Sequence, residues 1–247
     1  MRLLAFLVLT VAFSQVDNFR VEVTASAWHA AIAGTLQSGA LPIALHNDLN
    51  LSDQWTFFGK LAFKPARRHR INVEGSPYDF SGTNALLRTI TFNGRTYSVS
   101  DTVSSDASLT YVFGGYQYDL ISRDRGHFGL EGGGAYLNGT GAIRSSTTGL
   151  STSRSETIGL PLAGAEFRVF LGPGHLNVNG EAKGMSLGGY GDYFQGVVNL
   201  GAGFHNVMFQ AGYQYLNANI HENRSANPAG ISPVISGPIF SIQFRLF

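Results

Sequence analysis

Between Gly191 and Leu216 the chain alternates with a period of two residues. Phe194, Gly196, Val198, Leu200, Ala202 and Phe204 fall on one side, and Tyr193, Gln195, Val197 and Asn199 on the other. That period is the signature of a strand. His205-Asn206 interrupts it, and Val207, Phe209, Ala211, Tyr213 and Tyr215 then alternate with Met208, Gln210, Gly212 and Gln214. Two strands meeting at a two-residue turn make a hairpin. A tilted strand crosses a bilayer in about 9–11 residues. Phe194 and Phe204 end one apolar face with aromatics, where lipid meets water. The stretch therefore predicts a transmembrane β-hairpin.

Eight further segments show the same alternation. The first runs from Phe19, with Val21, Val23, Ala25 and Ala27 opposite Arg20, Glu22, Thr24 and Ser26. Its apolar parity then switches to Trp28, Ala30 and Ile32, which predicts a bulge. After a polar loop at 37–54 comes a second strand, with Trp55, Phe57, Leu61 and Phe63 opposite Thr56, Lys60 and Lys64. The third sets Ile71 and Val73 against Arg70, Asn72 and Glu74, and Gly75, Pro77 and Gly82 are expected to end it. Residues 77–101 read as a long excursion carrying a small hairpin at Asn93-Gly94, because a type I′ turn needs positive φ at both central positions. The fourth strand spans about 102–120, and the fifth sets Phe128, Leu130 and Tyr136 against Glu131 and Ala135. Residues 139–155 are rich in Gly, Ser and Thr and are not expected to order well. The sixth strand reaches Leu171, with a second bulge expected at Pro161 to explain the changed parity of Ile158 and Leu160. The seventh sets Leu176, Val178 and Ala182 against Asn177, Asn179, Glu181 and Lys183. After the hairpin and a loop at 217–234, the last strand sets Phe240, Ile242, Phe244 and Leu246 against Ser241, Gln243 and Arg245.

The connections at 65–68, 121–126, 172–174 and 205–206 are short and most of the others are long. Short turns on one side with an even strand count predict an all-β, antiparallel, up-and-down transmembrane barrel of ten strands, with eight as the alternative. Composition sharpens this: 44% of the residues are hydrophobic, only 13% are charged and the net charge is +1. Nothing basic points to nucleic acid. Met1 to Ser14, with Arg2 before an apolar run, reads as a signal peptide, which leaves one barrel domain at 15–247.

Parity also predicts the interior. If the apolar faces meet lipid, Glu22, Glu74, Glu131, Glu166 and Glu181 point inward with Lys60, Arg70, Arg168, Lys183 and Arg245. Five acids facing five bases in a narrow space are expected to pair, Arg245 near Glu22 in particular, and so to plug the lumen. Lys64, Arg67, Arg68, Arg70, Arg123 and Arg125 gather at the short-turn end, where they are positioned to snorkel to lipid headgroups or to face water.

The last residues, Pro238 to Phe247, together with stretches such as NDLNLSDQWTFFGKLAF, resemble small Gram-negative outer-membrane β-barrel proteins. The resemblance implies an outer-membrane location with outer-membrane lipids around the barrel. It also implies that Phe247, the terminal aromatic, is read by the barrel-assembly machinery. Arg245 and Gln243 stand where that family's pattern has apolar residues, so the hydrophobic face is shifted by one.

Chemistry is sparse. Such barrels include omptin-like proteases, lipid A palmitoyltransferases and lipid A deacylases, which need a His with a carboxylate or Ser near the outer leaflet. His69, His127, His175 and His205 lie beside short turns and His29 lies in a strand. That leaves His46 with Asp48 and His221 with Glu222, neither in a matching motif, and a solvated loop role is expected for both. The run Asn47 to Asp53 alternates oxygen ligands but lacks the Gly and Glu of a calcium loop. Gly132-Gly133-Gly134 precedes no helix, so no nucleotide site is expected. The expectation is a barrel without metal, cofactor or catalytic residue, acting through its outward loops; a lipid-active or proteolytic enzyme and a narrow pore are the alternatives.

Overall fold

The computed structural model describes residues 17, 19–38, 41–171, 176–187, 191–222 and 229–246. In chain order the strands are β1 (Val21–Gln37), β2 (Ile43–Ala44), β3 (Gln54–Ala66), β4 (His69–Ala85), β5 (Ile90–Phe92), β6 (Arg95–Tyr97) and β7 (Thr102–Arg123). They continue with β8 (Gly126–Ser145), β9 (Ser151–Leu171), β10 (Leu176–Leu187), β11 (Gly191–Phe204), β12 (Val207–Glu222) and β13 (Ala229–Leu246). The ten long strands pair antiparallel around a ring in the order β1, β3, β4, β7, β8, β9, β10, β11, β12, β13, and β13 returns to β1. The closing register runs from Val21↔Leu246 to Gln37↔Gly230. Closure leaves no backbone edge in hydrocarbon, where each unpaired N–H or C=O would cost several kcal/mol.

The outer face carries an apolar band. Phe57, Leu61, Val198, Leu200, Phe209, Phe240 and Phe244 are among the exposed large side chains, and they lie on the parity that the alternation assigned to lipid. An apolar surface of that extent makes a spanning barrel. The short turns at 67–68, 124–125 and 205–206 share one end. Gly126 has φ +139 there, and a Cβ on it would lie 1.9 Å from the Arg168 carbonyl oxygen, so only glycine fits.

Several expected boundaries are corrected. β4 runs through Pro77 and Gly82 to Ala85 instead of ending near Gly75. The Gly/Ser/Thr-rich stretch is ordered, since β8 and β9 stay paired as far as Arg144↔Ser151, and β12 and β13 take up most of 217–234. Backbone pairing asks little of side chains, and these extensions rest partly on it. The Asn93-Gly94 turn forms as the dipeptide requires, with φ of 46 and 74.

The bulges expected near Trp28 and at Pro161 do not exist. β1 keeps one register with β3 from Val21↔Phe63 to Ala30↔Gln54, and β9 keeps one with β8 through Pro161↔Gly134. Trp28, Ala30, Ile32, Leu160 and Leu162 are buried and point inward, as Glu22 and Glu166 do lower on the same strands. The interior itself changes from charged to apolar partway along the barrel. The register irregularities lie instead beside short turns, at Phe63/Ala66 and Asp119/Ile121.

Candidate functional site in the barrel lumen

At the short-turn end, inward parity converts alternating charged residues into a buried network. Glu22 of β1 and Arg245 of β13 are register partners, and the Arg245 Nε donates to Glu22 Oε2 at 2.8 Å. Arg168 of β9, across the lumen, donates to both oxygens of Glu22 at 2.9 Å. A planar fork on a carboxylate is the strongest arrangement this pair can adopt. Arg70 of β4 donates to Asp17 Oδ2 at 2.9 Å and to Asp119 Oδ2 at 3.0 Å. Phe19 lies over this end with its ring 5.2 Å from the Arg70 guanidinium and 5.3 Å from the Lys64 ammonium.

One layer up, Lys60 of β3 reaches Glu166 at 2.8 Å and Glu181 at 2.5 Å on β9 and β10, and Glu74 of β4 at 3.2 Å. Lys183 bonds Glu74 at 2.7 Å, pairs with Glu181 and lies 3.8 Å from Glu131. Glu131 also accepts from Asn72 at 2.6 Å. The oxygens of Glu74, Glu131 and Glu181 converge within 4.8 Å, close enough to hold a metal ion. The ammonium groups of Lys60 and Lys183 already supply the positive charge there.

All ten charged residues picked out by parity thus face the lumen at this end, and four more groups join them. His127 sits between Asp17, 2.8 Å from Nδ1, and Glu166, 3.2 Å from Nε2. Lys64, expected to snorkel or stay solvated, is instead buried, with its Nζ donating to the Asp17 carbonyl at 3.0 Å. Arg70 likewise turns inward, whereas Arg67, Arg68, Arg123 and Arg125 are exposed at the rim. Burial pushes the Asp17 carboxyl up, but His127, Arg70 and Arg168 outweigh it and hold that group well below the usual carboxylate range. Asp17 precedes the first strand, so no alternation could place it. Asp119 shares the parity of Gln117 and was legible in principle.

Above the charges lies an aromatic tier of Trp28, Tyr78, Tyr111, Phe113 and Tyr193, all at most 2% exposed. Trp28 meets Tyr78 edge-on at 5.6 Å and Tyr111 stacks on Tyr193 at 6.4 Å. The Lys183 Nζ lies 4.0 Å from the Phe113 ring centre, where the two zones touch.

The long-loop half of the interior is apolar and holds a cavity of about 840 Å³ lined by Ile32, Leu137, Leu160, Leu216, Ile220 and Ile235, among others. The 37–54 loop, polar in its sequence pattern, nevertheless turns Leu45, Leu49 and Leu51 into this space. Phe92 from the β5–β6 hairpin reaches the same cavity, and Tyr97 OH ties that hairpin to the Ile143 carbonyl at 2.9 Å. Arg88 clasps the two loops together, bonding Asp48 at 2.5 and 3.1 Å and the Pro42 carbonyl at 2.5 Å. The Arg88 hydrogen bond holds the Asp48 carboxyl below its ordinary range. His46 is exposed. The side chains of His221 and Glu222 lie outside the described part, as do residues 1–16, His175 and Phe247.

No protein-family model and no curated protein matches the chain. Solved structures do. The translocator domain of the autotransporter NalP from Neisseria meningitidis aligns at 12% identity over 93% of this chain and 90% of that one, with a TM-score of 0.50. The transport unit of the autotransporter AIDA-I from Escherichia coli aligns at 11% identity over 93% and 91%, with a TM-score of 0.44. Ail, the attachment invasion locus protein of Yersinia pestis, aligns at 14% over 90% and 99%, with a TM-score of 0.39. The closed, ten-stranded antiparallel barrel is thus a fold of the Gram-negative outer-membrane type.

Proposed function

We propose that this chain is a small outer-membrane barrel, sealed across its periplasmic half, that serves a structural or surface-interaction role through its outward loops and is neither a pore nor an enzyme. One observation carries the reading: ion pairs cross the full width of the lumen. Lys60 and Glu181 stand on opposite walls five strands apart around the ring, and so do Glu22 and Arg168. Side chains that meet across the diameter leave no continuous water path between them. A ten-strand barrel is only slightly wider than the eight-strand type that side chains fill.

The non-enzymatic part is supported by the loop end, where the Asp48 carboxylate is committed to Arg88 and the Ala44 amide instead of to His46. His127, the histidine held between two carboxylates, is buried at the opposite end. Outer-membrane lipids would contact the Phe and Leu band, and the assembly machinery would read the C-terminal strand. Purified protein reconstituted in planar bilayers is expected to give no stable channel. Reproducible ohmic steps would replace this reading with the pore.

A further inference from the structure

The sealed half accounts for less than the whole interior, and the cavity above it is a different kind of space. Its wall is mostly apolar, led by eight Leu and six Ile, with Gln37, Ser38, Asp106, Arg154 and Glu156 also on its lining, so water along the Leu and Ile surface would find few partners. At about 840 Å³ it falls within the range of roughly 300–1,000 Å³ typical of small-molecule pockets. It is also several times larger than the ~150 Å³ apolar void that already takes up benzene. Protein interiors otherwise pack without such voids.

Three features make it a built site. Its floor is the aromatic tier, represented at the cavity by Tyr193. Over it lie Leu45, Leu49, Leu51 and Phe92 from two loops, joined to each other by the Arg88–Asp48 pair. On its wall the Ser105 hydroxyl, on a residue 1% exposed, has no hydrogen-bond partner. A buried hydroxyl left unpaired is costly unless something else supplies the partner.

We propose that this cavity binds a hydrocarbon-chain ligand carrying one small hydrogen-bonding group, with the chain among the Leu and Ile side chains and the polar group at Ser105. An acyl chain of an outer-leaflet lipid and a free single-chain molecule share that chemistry. The inference goes beyond the sealed-barrel reading and does not depend on conductance, so a channel recorded in bilayers would leave it standing.

The test photolyses the folded barrel in detergent with a diazirine-bearing hexadecanol and maps the label by peptide mass spectrometry. Label is expected on the inward residues Leu137, Leu160 and Leu216. It should fall by about tenfold in Ala218→Trp, which sets an indole on the cavity wall, while heat-dependent gel migration confirms that the variant folds. Should Ala218→Trp not fold, Leu160→Gln makes the wall polar and is expected to lower the label in the same way. Native mass spectrometry of barrel extracted from its own membranes separates the sources. A retained adduct of phospholipid mass identifies a membrane lipid, and one of single-chain mass identifies a free molecule. Label confined to outward residues such as Phe194 and Val198, or inward label unchanged in a folded variant, would overturn the site.

Discussion

The two halves of the barrel interior are built on the same strands with the same alternation, and they do opposite things with it. Toward the short turns, Lys, Arg and Glu side chains reach inward far enough to meet their counterparts from the opposite wall. Toward the long loops, Leu and Ile of similar bulk but shorter reach stop before the axis and leave about 840 Å³ between them. The wall sets the diameter, and side-chain length decides whether that diameter is filled. Charge adds a second difference. Among the described residues, seven carboxylates, from Asp17, Glu22, Glu74, Asp119, Glu131, Glu166 and Glu181, face six Lys or Arg side chains and His127 in the lower half. Each depends on the others being present, whereas apolar neighbours tolerate a gap.

That contrast can be broken most severely at Glu22. Replacing it with Leu leaves the Arg168 and Arg245 guanidinium groups buried without their shared partner, a loss of about 3–5 kcal/mol. Urea unfolding from lipid vesicles, followed by tryptophan fluorescence, measures it. Replacing all three residues, with Glu22→Leu, Arg168→Met and Arg245→Met together, is expected to recover most of that loss, since no lone charge remains from this set. If the triple variant is as unstable as the single one, the lower half is held by something other than mutual charge satisfaction.

Leu160→Ala probes the upper half. The side chain borders an existing cavity, so the change removes contacts without opening a sealed void, and about 2 kcal/mol is expected in the same assay. The smallest effect belongs to the loop clasp. Asp48→Ala releases a partly exposed pair and should cost at most about 1 kcal/mol, read as faster hydrogen exchange in 43–51. Because the Asp48 carboxyl is held below its ordinary range, the clasp is intact at neutral pH. It is lost as pH falls through that lowered value, and the exchange of 43–51 in the unmodified protein should rise there.

The lower half was legible because its two faces differ. Where lipid-facing Val23 and Ala27 alternate with Glu22 and Ser26, parity names the inward residues directly; Arg20, on the same parity but ahead of the strand, is exposed. In the upper half the contrast inverts: Trp28, Ala30, Ile32 and Leu160 make the inner face apolar while outward positions such as Asp79, Asp106, Ser153 and Ser155 are polar and exposed, so the inner face looks like a register change. Period-two reasoning groups residues by face and takes such an inversion for a bulge. Proline misled for a related reason: Pro161 lies just past the last β9–β10 pair, at Gly184↔Ala163, so it breaks no ladder with β10 and needs no bulge. The leucines of the 37–54 loop and the position of Asp17 depend on contacts between distant segments, which alternation does not encode.

The tie between Glu22 and Arg245 joins residues 223 positions apart. It cannot form until every intervening strand has been laid down, because β1 and β13 become neighbours only when the ring shuts. Contacts of such separation are slow to reach and reward the chain only at the end. An unfinished sheet would carry Glu22 on a bare edge, with Arg168 and Arg245 lacking their shared carboxylate, a species ill suited to hydrocarbon. The seam thus makes insertion cooperative: partial barrels are penalised twice, by open backbone and by stranded charge, and the last strand releases both penalties in one step.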